Sequence, residues 1–262
     1  MNDRKRNSQM NTELKTKGDA QEHVFCRACL SEDLQKVGEK DRFDLMRCTS
    51  CGTVVVSPWP TMKELNEYYQ DYKANDSYLS KKESKLRRTR KRVQKMLQLS
   101  PPGKRFLDVG CNVGYTVASA SSLGLDAMGI DIDGAAVEIA GKEFPEAGGF
   151  QQLSVEEMAE TGVKFDMVYT SEVIEHVPDP ESFVRSIATL LSKGGVAYMT
   201  MPDGGHFLVP KNFSTWGQVV PPEHLTYFTR KGIATLLARH GLKVRRFQIS
   251  FKPGIKLLAV KE

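Results

Sequence analysis

The pattern of apolar and polar positions predicts alternating strands and helices in the second half of the chain. An apolar run at 106–109 stops at Gly110, and a short turn leads into a segment at 115–120 that suits a helix. A second apolar run at 126–130 follows, and Asp131 stands at its end. Strand, turn, helix and strand in this order form a βαβ unit, whose two strand ends are neighbours. The sequence therefore predicts a ligand site where Gly110 and Asp131 meet, 21 residues apart.

Further strands and helices follow this unit. A strand from Lys164 runs into a polar segment, and a Lys-Gly-Gly turn at 193–195 separates a helix from the next strand. The alternation indicates an α/β fold. The predicted elements are strands at 164–170, 196–201, 243–251 and 255–260 and helices at 180–191 and 231–240.

The turn after the first strand is unlike a dinucleotide-binding turn. That turn needs three spaced glycines so that a pyrophosphate can approach the helix N-terminus, but the corresponding positions here hold Gly110, Asn112 and Tyr115. Asp108 stands two residues before Gly110, where it would repel a pyrophosphate and attract a cation. Asn112 tolerates the left-handed backbone that such a turn requires. The turn therefore favours a positively charged nucleoside.

The pattern Asp-x-Gly-x-x-x-Gly, with Asp131 at the next strand end, resembles the S-adenosylmethionine site of class I methyltransferases. The segment 171–180, Ser-Glu-x-x-x-His-x-x-Asp-Pro, is similar to the end of the fourth strand in small-molecule members, and the resemblance spans 103–262. It implies a Rossmann-like, seven-stranded class I methyltransferase fold. Two positions depart from the family pattern, because Asn112 replaces a glycine and Ser154 replaces the Asp of the adenine-binding loop.

The resemblance also implies how the methyl donor is held. Asp131 would bind the ribose hydroxyls, and Asp108 with the backbone around Gly110 would bind the methionyl end. Ile132 would cover one face of the adenine. The complete predicted donor-binding set is Asp108, Gly110, Cys111, Asn112, Gly114, Tyr115, Asp131, Ile132, Ser154, Val155, Ser171 and Glu172.

Three residues are predicted to handle the acceptor's proton. Glu223 and His224 open a Glu-His-Leu-x-Tyr-Phe run that is similar to one implicated in proton abstraction in sugar C-methyltransferases. His176 follows the fourth strand, and histidine changes charge near neutral pH. For both histidines the alternative is a hydrogen bond that organises a loop. The loop 204–222 is predicted to cover the acceptor, and its aromatic residues either stack on the acceptor or form a small core of their own: Phe207, Phe213 and Trp216.

Four of the five cysteines form two Cys-x-x-Cys pairs separated by 18 residues. This spacing is typical of a zinc ribbon in which four thiolates bind one structural ion, with a rubredoxin-like iron site as the alternative. The segment 34–47 between the pairs alternates like a short hairpin. The predicted zinc ligands are Cys26, Cys29, Cys48 and Cys51.

The segment 81–92 holds eight basic residues and one acid. Apolar residues recur at helical spacing in and after this segment, so one face packs inward and the basic residues lie outside: Leu79, Leu86, Val93 and Met96 or Leu97. We interpret this as a solvated helix face, with phosphate binding as the alternative. The net charge of +5 does not decide between them.

These features divide the chain of 262 residues into a disordered tail at 1–22, a zinc ribbon at 23–58, a helical linker or lid at 59–102 and a methyltransferase domain at 103–262. This order resembles bacterial small-molecule and sugar methyltransferases with an N-terminal zinc module. The sequence shows no apolar run of about 18 residues and no signal peptide, so we expect a cytoplasmic protein without a membrane partner.

The sequence predicts methyl transfer from S-adenosylmethionine to oxygen, nitrogen or carbon of a small molecule or glycan precursor. One alternative is an RNA methyltransferase in which the ribbon and the basic helix 81–92 contact phosphates. The second alternative is a cofactor-binding scaffold without catalysis. Nucleic acid is the less favoured partner, and the sequence does not indicate an oligomeric state.

Overall fold

The computed structural model describes residues 24–70, 82–99 and 103–262. The predicted tail at 1–22 lies outside these ranges, and so does Leu79 of the predicted apolar stripe. Among the described helices, none has the length and apolar character needed to cross a bilayer.

A seven-stranded sheet forms the centre of the molecule. Its strands are β4 (Arg105–Val109), β5 (Asp126–Asp131), β6 (Gly149–Gln152), β7 (Phe165–Ser171), β8 (Leu191–Pro202), β10 (Leu242–Phe247) and β11 (Gly254–Lys261). They lie in the order β10-β11-β8-β7-β4-β5-β6. The pairs from β8 to β6 are parallel, whereas β11 is antiparallel to both of its neighbours. The predicted seven-stranded sheet is confirmed.

Helices cover both faces of the central sheet, so its inner strands are buried along almost their whole length. These helices are α3 (Tyr115–Ser121), α4 (Gly134–Glu143), α5 (Val155–Glu160), α6 (Pro180–Leu190) and α7 (Arg230–Arg239). Short polar side chains fix where the helices begin, since Asp133, Asp179 and Thr229 each accept a hydrogen bond from the first turn.

A second, four-stranded antiparallel sheet carries the cysteine pairs. It consists of β1 (Leu34–Lys40), β2 (Phe43–Cys48), β3 (Val54–Ser57) and β9 (Thr226–Tyr227), in that order. The predicted hairpin is confirmed as β1 and β2. The fourth strand comes from the far end of the chain, where Tyr227 pairs with Val54. The domain boundary at residue 58 stays a prediction, and this sheet joins the chain across it.

Two helices connect the sheets in sequence, α1 (Met62–Gln70) and α2 (Lys82–Leu97). The second packs against α3, where the hydroxyls of Thr89 and Ser119 lie 2.6 Å apart. Val93 and Met96 of the predicted apolar stripe are buried, as is Thr89. Hydropathy did not indicate Thr89 because threonine is polar; its hydroxyl is buried with hydrogen-bond partners on both α2 and α3.

The aromatic residues of the loop 204–222 do not share one role. Phe213 and Trp216 are buried and pack with Tyr227 at 5.4 and 6.2 Å between ring centroids, in a cluster that includes Leu45. These two residues therefore belong to a core shared with the four-stranded sheet, rather than to a core of the loop's own. Phe207 is 80% exposed.

Candidate active site

The turn between β4 and α3 is held against the end of β5 by backbone hydrogen bonds. The amides of Gly110 and Cys111 both donate to the carbonyl of Ile130, at 2.9 and 3.0 Å. The amide of Asn112 donates to Asp131 Oδ2 at 2.8 Å, and Asn112 has a φ of 47°. The Asp131 carboxylate is thereby oriented, and it keeps free lone pairs for a ligand. The predicted meeting of Gly110 and Asp131 is confirmed.

Two glycines allow this turn to pack closely. Gly110 has a φ of 75°, and a Cβ there would lie 2.4 Å from Val173 Cγ2. Gly114 has a φ of 84°, and a Cβ there would lie 2.8 Å from the Phe150 ring. Because a side chain at either position meets both strain and a clash, the turn requires glycine.

Asp108 lies behind the turn and is 2% exposed. Burial raises the pKa of its carboxyl to about 8; a hydrogen bond with Thr116 opposes this shift and nearby Asp131 adds to it. Burial also raises the pKa of Asp131, against the hydrogen bonds that its carboxylate accepts. A cationic ligand would stabilise both carboxylates, so this end of the site fits a positively charged molecule.

A cavity of about 960 Å³ opens at the carboxyl ends of β4, β5 and β7. Every residue of the predicted donor-binding set lines it except Gly114, which lies at the start of α3. The three predicted catalytic residues line the same cavity: Glu223, His224 and His176. The structure therefore brings the two predicted sets together in one space.

Ser154 lies at the rim of this cavity and caps α5. Its hydroxyl accepts from the amide of Glu157 at 3.2 Å, and the Glu157 carboxylate accepts from the amide of Ser154 at 2.7 Å. The hydroxyl proton is still available to a ligand. Ser154 thus places the helix that borders the cavity, a role that an Asp could also fill.

Glu172 follows β7 with a φ of 57°, which is uncommon outside glycine. Its carboxylate accepts from the Thr200 hydroxyl at 2.6 Å, and that hydroxyl lies 2.7 Å from Ser171 Oγ. Arg92 reaches the same group from α2 and donates to the Tyr169 hydroxyl at 2.7 Å. The floor of the cavity is therefore a connected polar network rather than one carboxylate.

His176 and His224 face each other with ring centroids 4.6 Å apart. His176 Nδ1 lies 2.9 Å from the carbonyl of Glu223, and His224 Nδ1 lies 2.8 Å from the carbonyl of Gln218. A carbonyl only accepts, so both Nδ1 atoms donate, and each neutral ring keeps an unprotonated Nε2. The loop-organising hydrogen bond is thus present in both residues, and it leaves the Nε2 atoms free for chemistry.

Burial lowers the pKa of His176 to about 4, with a smaller contribution from His224. Burial also lowers the pKa of His224, against its hydrogen bond to Gln218. Both rings are therefore neutral at pH 7, and the same burial makes each a weaker base than a histidine in water.

Glu175 is a site residue that the sequence reasoning missed. It is 1% exposed, and neither carboxylate oxygen has a hydrogen-bond partner among the described residues. Burial and then the charge of Glu172 raise its pKa well above the ordinary value. Ligand atoms of Glu175, His176 and His224 lie within 4.8 Å of one another, close enough to hold a cation. The sequence signal that could have indicated Glu175 is its position next to Ile174, in an apolar run.

The four paired cysteines converge on one point. Sγ of Cys26 lies 3.5 Å from Sγ of Cys51, and Sγ of Cys29 lies 3.5 Å from Sγ of Cys48. All four sulfurs lie within 4.8 Å of one another. A tetrahedral zinc with Zn–S bonds of about 2.3 Å separates its sulfurs by about 3.8 Å, so these residues could hold such an ion.

Comparison with known proteins identifies the family. A model described as a methyltransferase domain matches residues 78–246. This chain belongs to the methyltransferase domain family. It is an S-adenosylmethionine-dependent methyltransferase, and its predicted Rossmann-like class I fold is confirmed.

Among curated proteins, this methyltransferase is 30% identical over 179 residues to the ubiquinone biosynthesis O-methyltransferase of Alkalilimnicola ehrlichii, covering 60% of this chain and 72% of that protein. It is 34% identical over 148 residues to the protein of the same name from Nitrosococcus oceani, covering 50% of this chain and 63% of that protein. The magnesium protoporphyrin IX methyltransferase of Synechocystis, solved with bound S-adenosylmethionine, superimposes with a TM-score of 0.51 at 17% identity. That superposition covers 77% of this chain and 92% of that structure, and it shows the fold alone.

Proposed function

We propose that this enzyme methylates a hydroxyl group of a small molecule or glycan precursor inside the cavity of about 960 Å³. The observation that supports this most is that one cavity holds both the acid pair, Asp108 and Asp131, and the histidine pair. S-Adenosylmethionine supplies an activated methyl group on a cationic sulfur. The acids fit its charged and hydroxyl-bearing parts, with Asp131 on the ribose and Asp108 near the methionyl end.

The histidines provide the second half of the proposal. We assign His224 as the base, because its Nε2 is unprotonated and its ring is fixed by the carbonyl of Gln218. His176 lies against it and adds a second acceptor. Glu223 holds His176 through its carbonyl, and its carboxylate accepts from the Tyr68 hydroxyl of α1 at 3.4 Å. These contacts keep the base in place beneath α1.

Oxygen is the favoured acceptor atom of the three that the sequence left open. The two curated relatives are O-methyltransferases by name. A hydroxyl also needs a base to remove its proton, which a neutral histidine supplies. The scaffold alternative predicts donor binding without turnover, so turnover with a real acceptor would exclude it.

We further propose that the cysteine cluster holds a structural zinc ion within a ribbon at 23–58, followed by the lid helices at 59–102 and the methyltransferase domain at 103–262. Four thiolates would fill every position of a tetrahedral ion, so the ion would have no open position for catalysis.

A screen of acceptors tests the proposal. The purified chain is incubated with labelled S-adenosylmethionine and a panel of phenols, hydroxylated glycan precursors, amines and a short RNA, and S-adenosylhomocysteine formation is measured. We expect turnover with a hydroxylated small molecule. Turnover with RNA alone, or with none of the panel despite donor binding, would contradict the proposal.

His224→Asn is expected to lower kcat by about 10²- to 10⁴-fold with the acceptor found in the screen. Asparagine can still donate to the carbonyl of Gln218, but it lacks the basic Nε2 atom. Donor affinity should stay within twofold. The control is His240→Asn, a change at the end of α7 outside the cavity lining. Unchanged kcat in His224→Asn would remove His224 from the chemistry.

Donor binding is expected to release about one proton at pH 7, because Asp108 with a pKa of about 8 is mostly protonated in the free protein. A cationic ligand favours the carboxylate, so donor affinity should rise between pH 6 and 8 and then level off. Calorimetry in buffers of different ionisation enthalpy measures the proton, and Asp108→Asn should abolish its release.

The raised pKa of Asp108 also makes the free energy of unfolding depend on pH. A folded-state pKa raised above the unfolded value means that the Asp108 contribution is complete below about pH 4 and is lost as the pH rises to about 8. The ligand-free protein should therefore lose stability over this range.

For the donor-binding experiment, binding without proton release would show that Asp108 does not face the donor's charge.

A further inference from the structure

The basic and acidic residues that line the large cavity come from different elements of the fold. Its Lys and Arg lining residues are Lys85, Arg88 and Arg92, and all three lie on α2. The acidic lining residues come from other elements, namely strand ends, loops and the first turn of α5: Asp108, Asp131, Asp133, Glu156, Glu172, Glu175 and Glu223. The acidic residues suit the cationic donor. Arg88 and Arg92 on α2 are candidates to contact a different, anionic partner.

A second cavity of about 350 Å³ adjoins these basic residues. Arg88 and Arg92 line both cavities, so the two are neighbours. The Tyr198 side chain and Gln248 add neutral hydrogen-bonding groups, and the described residues that line the cavity include no acid. Its charged lining residues are all basic: Arg87, Arg88, Lys91, Arg92, Lys95 and Lys256.

Among the described residues, none of these six cations forms an ion pair with a carboxylate, although the charge of Glu172 acts on Arg92. Elsewhere on the surface lysines do pair, as Lys82 does with Glu143 at 2.9 Å. Arg87 and Lys91 are four residues apart on the helix, as are Lys91 and Lys95, and like charges at this spacing destabilise a helix. A bound anion would offset that repulsion.

Arg92 is held in a fixed position between the two cavities. Its guanidinium donates to the Tyr169 hydroxyl at 2.7 Å and to Ser171 Oγ at 3.4 Å. Both acceptors belong to β7, whose end forms the floor of the large cavity. A guanidinium fixed in this way is prepared to bind a phosphate oxygen without further ordering.

We propose that the second cavity binds a phosphate or diphosphate group of the acceptor, whose reactive hydroxyl lies in the large cavity. This inference rests on the proposed function and adds the substrate class, an organic phosphate. The size of the site favours a small molecule over RNA. The helix positions 87–95 span about 12 Å at 1.5 Å per residue, and the site is concave and opens beside the donor cavity.

The test uses pyrophosphate as the probe and the full chain loaded with S-adenosylhomocysteine. Pyrophosphate should bind in calorimetry, weaken with added salt, and leave S-adenosylhomocysteine bound. The double variant Lys91→Gln/Lys95→Gln should bind it roughly tenfold more weakly. The matched control removes two exposed lysines that line neither cavity, Lys40→Gln/Lys193→Gln, and should bind pyrophosphate like the unchanged chain.

Equal pyrophosphate affinity in both double variants would overturn the inference, and so would displacement of S-adenosylhomocysteine by pyrophosphate. Two further arms separate the sources of phosphate. A single-stranded RNA or anionic lipid vesicles that bind far more tightly than pyrophosphate, and lose that binding in Lys91→Gln/Lys95→Gln, would replace the small molecule with a macromolecular partner. Failure of S-adenosylhomocysteine to bind would instead count against the proposed function itself.

Discussion

Asp131→Ala is expected to weaken S-adenosylmethionine binding about 100-fold. The change removes a carboxylate that would accept two hydrogen bonds from the ribose, and charge-assisted hydrogen bonds contribute about 1.5–3 kcal/mol each. It also releases the amide of Asn112, which the carboxylate holds at 2.8 Å. A loss of about 3 kcal/mol corresponds to roughly 100-fold in Kd, which calorimetry with S-adenosylmethionine can measure.

The matched control is Asp126→Ala at the exposed start of the same strand. It removes an equal charge far from the turn, so donor affinity should not change. If the two variants bind the donor equally well, Asp131 does not hold the ribose, and the assignment of the donor site is wrong.

Cys48→Ser is expected to lower zinc content from about one ion per chain to near zero and to lower the free energy of unfolding by more than about 3 kcal/mol. Cys48 is 1% exposed at the end of β2, and its sulfur lies 3.5 Å from that of Cys29. Loss of the ion would loosen β3, which pairs with β9 just after His224. Elemental analysis and thermal unfolding measure the two effects.

Cys111→Ser provides the control, because Cys111 is the fifth cysteine and lies in the turn after β4. Its zinc content should equal that of the unchanged chain. A fully folded protein that contains no metal, with or without Cys48, would show that the cluster is not a structural zinc site.

The sequence predicted the donor side of the site because its determinants are local. The turn residues, the strand before them and Asp131 lie within 24 consecutive positions, 108–131, and backbone geometry alone brings them together. Asn112 has the left-handed backbone that its chemistry tolerates, at a φ of 47°. The seven-stranded sheet was expected from the family resemblance, whereas the strand β6 was not located from the sequence pattern.

The acceptor side was less predictable because it depends on contacts between distant segments. The amide of Leu225 donates to the carbonyl of Glu175 at 2.8 Å across 50 positions of sequence, and no periodic pattern encodes that contact. Glu175 itself could be read only as one more acid in a polar segment. Only the folded structure, in which the start of β9 packs against Glu175, shows that its carboxylate is buried without a hydrogen-bond partner among the described residues.

The aromatic residues of the loop 204–222 show a further limit. Phe207 is followed by two apolar residues and Phe213 by two hydroxyl residues, yet Phe213 is fully buried and Phe207 is 80% exposed. Which one becomes core depends on Tyr227 and Leu45, both distant in sequence.

The shared four-stranded sheet limits how this protein can be cut or recombined. The amide of Val56 donates to the carbonyl of Leu225 at 3.2 Å. Removing the loop before β9 would leave this amide without its hydrogen-bond partner. A shortened enzyme that starts after residue 58 would leave the apolar side chains of Leu225 and Tyr227 facing water. In a chimera, the segments 24–57 and 203–229 must therefore come from the same parent protein, although they are far apart in sequence.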